Sequence, residues 1–112
     1  MVTLFDHEEC GSDSAQGAGS PIICQSLSRI YKVLCEEQSD NFDKAMQKSF
    51  LVSADMAHSV HPNYPDRHQE NHQSELNKGI MIKTNYNQRY ATDLVSASIL
   101  KILARQVNIP IQ

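Results

Sequence analysis

Apolar residues along this chain fall into two kinds of grouping, short unbroken runs and stripes at helical spacing. Residues 2–5 (VTLF) are a β-branched, apolar run that stops at Asp6, which predicts a strand. A loop rich in Gly, Ser and Ala covers residues 11–20. Pro21 suits a first helical turn, with Ser20 as its N-cap. Ile23, Leu27, Ile30, Tyr31 and Leu34 then recur on one helical face through about Glu36. A polar break at residues 38–41 precedes a shorter helical pattern on Phe42, Ala45, Met46 and Ser49, with Ser39 or Asp40 as its cap. Residues 50–54 (FLVSA) are unbroken and suit a strand buried on both faces, as in parallel sheets; the run stops at Asp55.

Residues 61–78 are polar, hold Pro62 and Pro65 and show no period, which makes a long loop of the kind that often carries function. Residues 80–82 (IMI) predict a third strand, ending at Lys83, followed by a polar loop at 85–89. Ala91, Leu94, Val95, Ile99, Ile102 and Leu103 mark a closing helix through about Gln106, and residues 109–112 (IPIQ) read as the start of another strand. The order strand, helix, helix, strand, loop, strand, helix predicts an α/β fold with helices packed on a mostly parallel sheet.

At 112 residues the chain suffices for one domain and not two. Opening and closing inside apolar runs reads as a segment of a longer chain, residues 1–112 forming part of a domain. Apolar residues at 40% and charged ones at 21% exclude general disorder. A net charge of -3 gives no basic footprint for nucleic acid, and no charge run suggests a membrane surface. No apolar run approaches the roughly 20 residues of a membrane helix, and no secretory signal is present. Cys10, Cys24 and Cys35 are odd in number and lack CxxC spacing, so a reducing, cytoplasmic setting fits, with each Cys a small buried apolar residue.

The three predicted strands all end in chemically capable residues. The first runs into Asp6, His7, Glu8 and Glu9, the second into Asp55 with His58 behind it, and the third into Lys83 with Arg89 and Tyr90 beyond. Open α/β sheets bind ligands outside the carboxyl ends of their strands. Carboxylates and imidazole ligate zinc and similar divalent ions, and a carboxylate that binds no metal takes a proton from the metal's water. Adjacent Glu8 and Glu9 suit that division, since successive side chains on extended backbone point opposite ways.

Taken singly, each feature has a plainer reading: a Glu pair as a solvated loop, Asp55 as an Asx-turn, Lys83 as a surface charge. Their coincidence at strand ends favours a site. His68 and His72 are spaced as a helical zinc pair, but RHQENH is not HExxH and reads as a solvated loop. Gly17 and Gly19 lack the Lys of phosphate loops, and no GxSxG motif is present. Cys10 beside Glu9 is a poor nucleophile, because neighbouring carboxylates disfavour a thiolate.

Three blocks, FDHEECGSDSAQGAGSP, SFLVSADMAHSVHPNYPDRHQENH and GIMIKTNYNQRYAT, resemble the aspartyl aminopeptidase family of zinc metallopeptidases, the vacuolar aminopeptidase I type, nearly end to end. The resemblance implies part of a metallopeptidase catalytic domain that releases N-terminal Asp or Glu from peptides. Its site holds two divalent ions, zinc with Mn or Co as alternatives. It implies Glu8 as the catalytic base, Glu9 and Asp55 as ligands of one metal each, and Glu8, His58, Lys83 and Tyr90 as substrate-binding residues. A Lys beside the side-chain pocket favours an acidic residue through a charge-assisted hydrogen bond. The family's remaining ligands, a His and a bridging Asp from earlier segments and a later His, are not in the matching portion. His7 and Cys10 take no role from the family.

The expected function is therefore a metal-dependent aminopeptidase for acidic N-termini, homo-oligomeric at full length, with no nucleic-acid or membrane partner. The isolated 112-residue chain would be inactive. The competing reading is a truncated product without catalysis that acts at most as an interaction module with full-length subunits. A third is a related dinuclear exopeptidase with another side-chain preference.

Overall fold

Helices dominate the regular structure in a computed structural model that describes residues 1–35 and 41–112. They are α1 (Ile22–Leu34), α2 (Asn41–Gln47) and α3 (Leu94–Gln106), with a 3-10 turn at Pro65–Arg67. The expected end of α1 near Glu36, most of the polar break and the Ser39 or Asp40 cap lie outside the described residues. The chain divides into two units, Met1–Val52 and Ser53–Gln112.

In the first unit, α1 half-buries Ile23, Leu27 and Tyr31, three of the five members of the stripe that the sequence predicts, while Ile30 and Leu34 are exposed. Pro21, not Ser20, sits at the N-cap. The Ser20 hydroxyl is covered without a hydrogen bond, so it caps nothing. On α2, Phe42, Ala45 and Met46 are half-buried as their spacing predicts. The Tyr31 and Phe42 rings meet edge to face with centroids 5.7 Å apart, which joins the two stripes. Ser49 lies just past α2, its hydroxyl donating back to the Ala45 carbonyl at 2.7 Å.

The second unit closes around α3. Asp93 caps it: the carboxylate accepts from the Ser96 backbone N–H at 2.7 Å, and the Ser96 hydroxyl accepts from the Asp93 N–H at 2.9 Å. At its other end Asn108 takes a left-handed conformation (φ 55) and the Ile109 N–H donates to the Ala104 carbonyl, 2.9 Å away. This left-handed stop turns the chain back. The returning segment pairs in parallel with residues 80–82 through Ile80 N–H to Pro110 O, Gln112 N–H to Ile80 O and Ile82 N–H to Gln112 O, at 3.0, 2.8 and 3.1 Å. A parallel pair joined through a helix results, with an apolar cleft of ≈ 250 Å³ lined by Ile80, Ile82, Leu100, Leu103 and Ile111. Gly79 enters this pair at φ 122, and a Cβ there would run into the Pro110 carbonyl.

Among the described residues, β pairing is confined to this bridge and an antiparallel one between Gln69 and His72. Residues 2–5 and 50–54, read as strands, carry no regular secondary structure, and Leu4 and Leu51 are 92% and 75% exposed. An apolar run becomes a strand only where a neighbouring backbone takes up its N–H and C=O groups. Residues 80–82 have such a neighbour here. Ala97 on α3 is the one buried hydrophobic side chain among the described residues. Val95, Ile99 and Ile102, part of the stripe expected to pack, face solvent. The cysteines are exposed and free rather than buried, so they are not packing residues here.

Candidate active site

Three hydrogen bonds hold the segment that carries Asp55 and His58, a segment without regular secondary structure. Lys83 Nζ donates to the Met56 carbonyl at 2.5 Å. The Ser74 hydroxyl donates to the His58 carbonyl at 2.7 Å, and the Val60 N–H donates to the Ser74 carbonyl at 2.7 Å. Lys83 is half-buried, and its ammonium lies 5.6 Å from the centre of the Tyr90 ring. The end of the 80–82 run thus delivers a cation to the Met56 carbonyl, and the polar turn after it brings the Tyr90 ring to that cation. Gln88 shapes that turn in a left-handed conformation (φ 55), its N–H donating to the Asn85 carbonyl.

Asp55 is exposed, and its Oδ1 accepts from the Met56 N–H at 2.8 Å. This contact with the next residue orients the carboxylate, whose other oxygen can bind a cation. His61, further along, stacks against Tyr64 with ring centroids 5.2 Å apart, and its Nδ1 accepts from the Asn63 N–H. His72 is a partner in the small Gln69–His72 bridge and His68 precedes it, both on non-helical backbone, in keeping with the loop reading of RHQENH.

Glu8 and Glu9 lie in the other unit, on an exposed turn. His7 enters it with φ 66, and the Gly11 N–H donates to the His7 and Glu8 carbonyls at 2.8 and 3.3 Å. His7 Nδ1 and the Ser14 hydroxyl are hydrogen-bonded at 3.0 Å, which ties the turn to the Gly/Ser loop. That loop is held by the Gly19 N–H on the Ser12 carbonyl, and a Cβ on Gly17 would collide with the same carbonyl. The acids and imidazole at residues 7–9 therefore sit on a tight local turn, whereas Asp55 and His58 sit on irregular backbone held by Lys83 and Ser74.

Among the described residues no group of three or more His, Cys, Asp or Glu side chains is placed to hold a metal ion. The donor set here is single exposed carboxylates, Glu9 in one unit and Asp55 in the other. Such oxygens suit a divalent cation as individual ligands, not as a complete site. The anchoring roles of Ser74 and His7 escaped the sequence reading. A serine inside a polar loop carries no periodic signal, and its partner His58 is 16 positions away.

Known proteins match along the whole chain. The model of the family described as aminopeptidase I zinc metalloprotease (M18) matches residues 1–112. A probable aspartyl aminopeptidase of Ricinus communis is 57% identical over 112 residues, all of this chain and 23% of the relative. Aspartyl aminopeptidase 1 of Schizosaccharomyces pombe is 49% identical over 114 residues, again all of this chain and 23% of the relative. A probable M18 family aminopeptidase 2 of Azotobacter vinelandii is 49% identical, with 25% of its length covered. A chain in the cryo-EM structure of the Ape4 and Nbr1 complex superposes with a TM-score of 0.84 at 49% identity, over 96% of this chain and 20% of that one. The chain spans about a quarter of the length of the curated relatives it matches.

Proposed function

The chain belongs to the aminopeptidase I zinc metalloprotease family (M18), and from that membership we propose that it forms part of a metal-dependent aminopeptidase releasing N-terminal Asp and Glu from peptides. The observation that carries the acidic preference is the half-buried Lys83 ammonium, held between the Met56 carbonyl and the Tyr90 ring. A cation fixed by a neutral carbonyl and a π face keeps its full charge for an incoming carboxylate. Exchanging a neutral acceptor for an anionic one strengthens the hydrogen bond it makes.

The remaining roles are those that the family resemblance implies. Glu9 and Asp55 would each give one carboxylate ligand to one of two zinc ions, with Mn or Co as alternatives, and the other ligands would come from the rest of a longer subunit. When bound, the metal pair polarises the scissile carbonyl and lowers the pKa of the attacking water. Glu8 would serve as the base, taking a proton from the attacking water and passing it to the leaving amine. His58 and Tyr90 donate hydrogen bonds to the substrate, Tyr90 through a phenol that Lys83 holds in place. We propose that the full subunit is an α/β domain with a mostly parallel sheet, in which further chain would pair with residues 2–5 and 50–54.

The full subunit is proposed to be cytoplasmic and homo-oligomeric, without nucleic-acid or membrane partners. No helix among the described residues is long and apolar enough to cross a membrane. The similar structure holds Ape4 together with Nbr1, which supports protein partners for the whole subunit. The lack of a grouped set of metal ligands among the described residues favours the second reading for the 112 residues alone, an inactive product that at most pairs with full-length subunits.

The deciding assay follows release from Asp-, Glu- and Leu-linked chromogenic amides by the full-length subunit and by the 112-residue chain, with Zn²⁺, Co²⁺ or Mn²⁺ added. The full-length protein turns over Asp and Glu amides, and Glu8→Gln lowers kcat by about 10²–10⁴-fold. Equal turnover of the Leu amide would overturn the acidic preference. An unchanged rate in Glu8→Gln would remove Glu8 from the role of base. Turnover by the 112 residues alone would show that they complete a site without further ligands.

A further inference from the structure

We propose that Ser74 is a positioning residue for His58, and that the 61–78 loop serves to present it; this rests on the aminopeptidase reading above. The backbone at residues 53–60 has no helix or ladder to satisfy its polar groups, so its course depends on what else bonds to it. One half-buried residue bonds to it at two points. The Ser74 hydroxyl donates to the His58 carbonyl and the Ser74 carbonyl accepts from the Val60 N–H, both at 2.7 Å. Two short bonds from one residue, flanking position 59, set the direction in which the chain leaves His58.

Ser74 is itself anchored. The next residue, Glu75, gives its N–H to the Gln112 side-chain carbonyl at 2.9 Å, and its own carbonyl accepts from the Gln112 amide at 3.2 Å. That amide also donates to the Gly79 carbonyl at 3.2 Å. Gln112 in turn pairs through its backbone with Ile80 and Ile82. A continuous line of hydrogen bonds therefore runs from the parallel pair through Gln112, Glu75 and Ser74 to the backbone of His58. The hydroxyl is the one side-chain link in the last step, so removing it leaves the His58 carbonyl without its donor and frees the segment to shift. An error of about 1 Å at a substrate-contacting group is enough to cost a large part of its effect.

The test uses the full-length subunit with Ser74→Ala, Ser74→Thr, His58→Ala and the Ser74→Ala/His58→Ala double variant. Ser74→Ala is expected to lower kcat/KM on the Asp amide by roughly tenfold, with bound zinc unchanged, and Ser74→Thr to restore most of it. In the His58→Ala background the Ser74→Ala loss is expected to vanish, since the residue it positions is gone. A second readout does not depend on turnover: hydrogen exchange of the peptide covering residues 55–62 rises in Ser74→Ala and returns in Ser74→Thr. A Ser74→Ala loss of equal size in both backgrounds, or unchanged exchange, would overturn the proposal. Absence of Asp-amide turnover in the unmodified protein would instead refute the aminopeptidase reading, with the exchange result still deciding whether Ser74 holds the segment.

Discussion

Lys83 and Tyr90 meet across the polar turn that follows residues 80–82, the ammonium 5.6 Å from the ring centre while it donates to the Met56 carbonyl. The cation is thus held by two neutral groups. Replacing it with Met keeps the unbranched stem, one atom shorter, and removes the charge. Lys83→Met in the full-length subunit is expected to lower kcat/KM for an Asp amide by about ten- to a hundredfold, with a much smaller change for a Leu amide. Steady-state kinetics on the two substrates measure the ratio, and an unchanged ratio would show that another residue selects the acid.

Asp55 offers a single exposed carboxylate, oriented by the Met56 N–H on its Oδ1. Asp55→Ala is expected to lower bound zinc in the full-length subunit by about half, in line with one ligand to one of two ions. Metal analysis after gel filtration reads this directly. Full zinc content in the variant would exclude Asp55 as a ligand.

Asp93 holds the start of α3, and its carboxyl lies below the ordinary aspartate value, chiefly through the Ser96 hydroxyl and next through the Ser96 backbone N–H. A folded-state pKa below the unfolded one gives stability that is present above the unfolded value, about 3.9, and lost as pH falls through the folded value. Asp93→Ala is therefore expected to lower Tm by a few degrees at pH 7, and the deficit to shrink below about pH 4. Thermal melts of both proteins across pH 3–7 check the sign; a deficit that grows on acidification would contradict it.

Gly79 is the position where the parallel pair tolerates no side chain, being at φ 122 and against the Pro110 carbonyl. Gly79→Ala is expected to destabilise the second unit by about 1–3 kcal/mol, through forced backbone strain and displacement of the paired segment. Chemical denaturation measures it. A variant as stable as the parent would mean that the pairing of Ile80 with Ile111 contributes little.

The periodic elements were legible because a helix reports itself locally. Ile23, Leu27 and Tyr31 on α1, and Phe42, Ala45 and Met46 on α2, are half-buried where their spacing places them, and α3 ends at Gln106 as read. The Asp93 cap was not read, although an Asp followed three positions on by Ser is a local signal. The DHEE, SADMAH and NQRYAT blocks carried the family by residue identity alone, and the match over residues 1–112 agrees.

Strands are different, because an apolar run such as residues 2–5 or 50–54 says nothing of which backbone will pair with it. Pairing is settled only by distant chain, as Ile80 shows in taking Ile111 as its neighbour. The same holds for the site. Sequence alone nominated Glu8, Glu9, Asp55, His58, Lys83 and Tyr90, whose chemistry is intrinsic to their side chains. That Lys83 rests on Met56 and Tyr90, and that Ser74 anchors His58 across 16 positions, was decided by tertiary structure, since hydrogen bonds between remote residues leave no period in the chain that makes them.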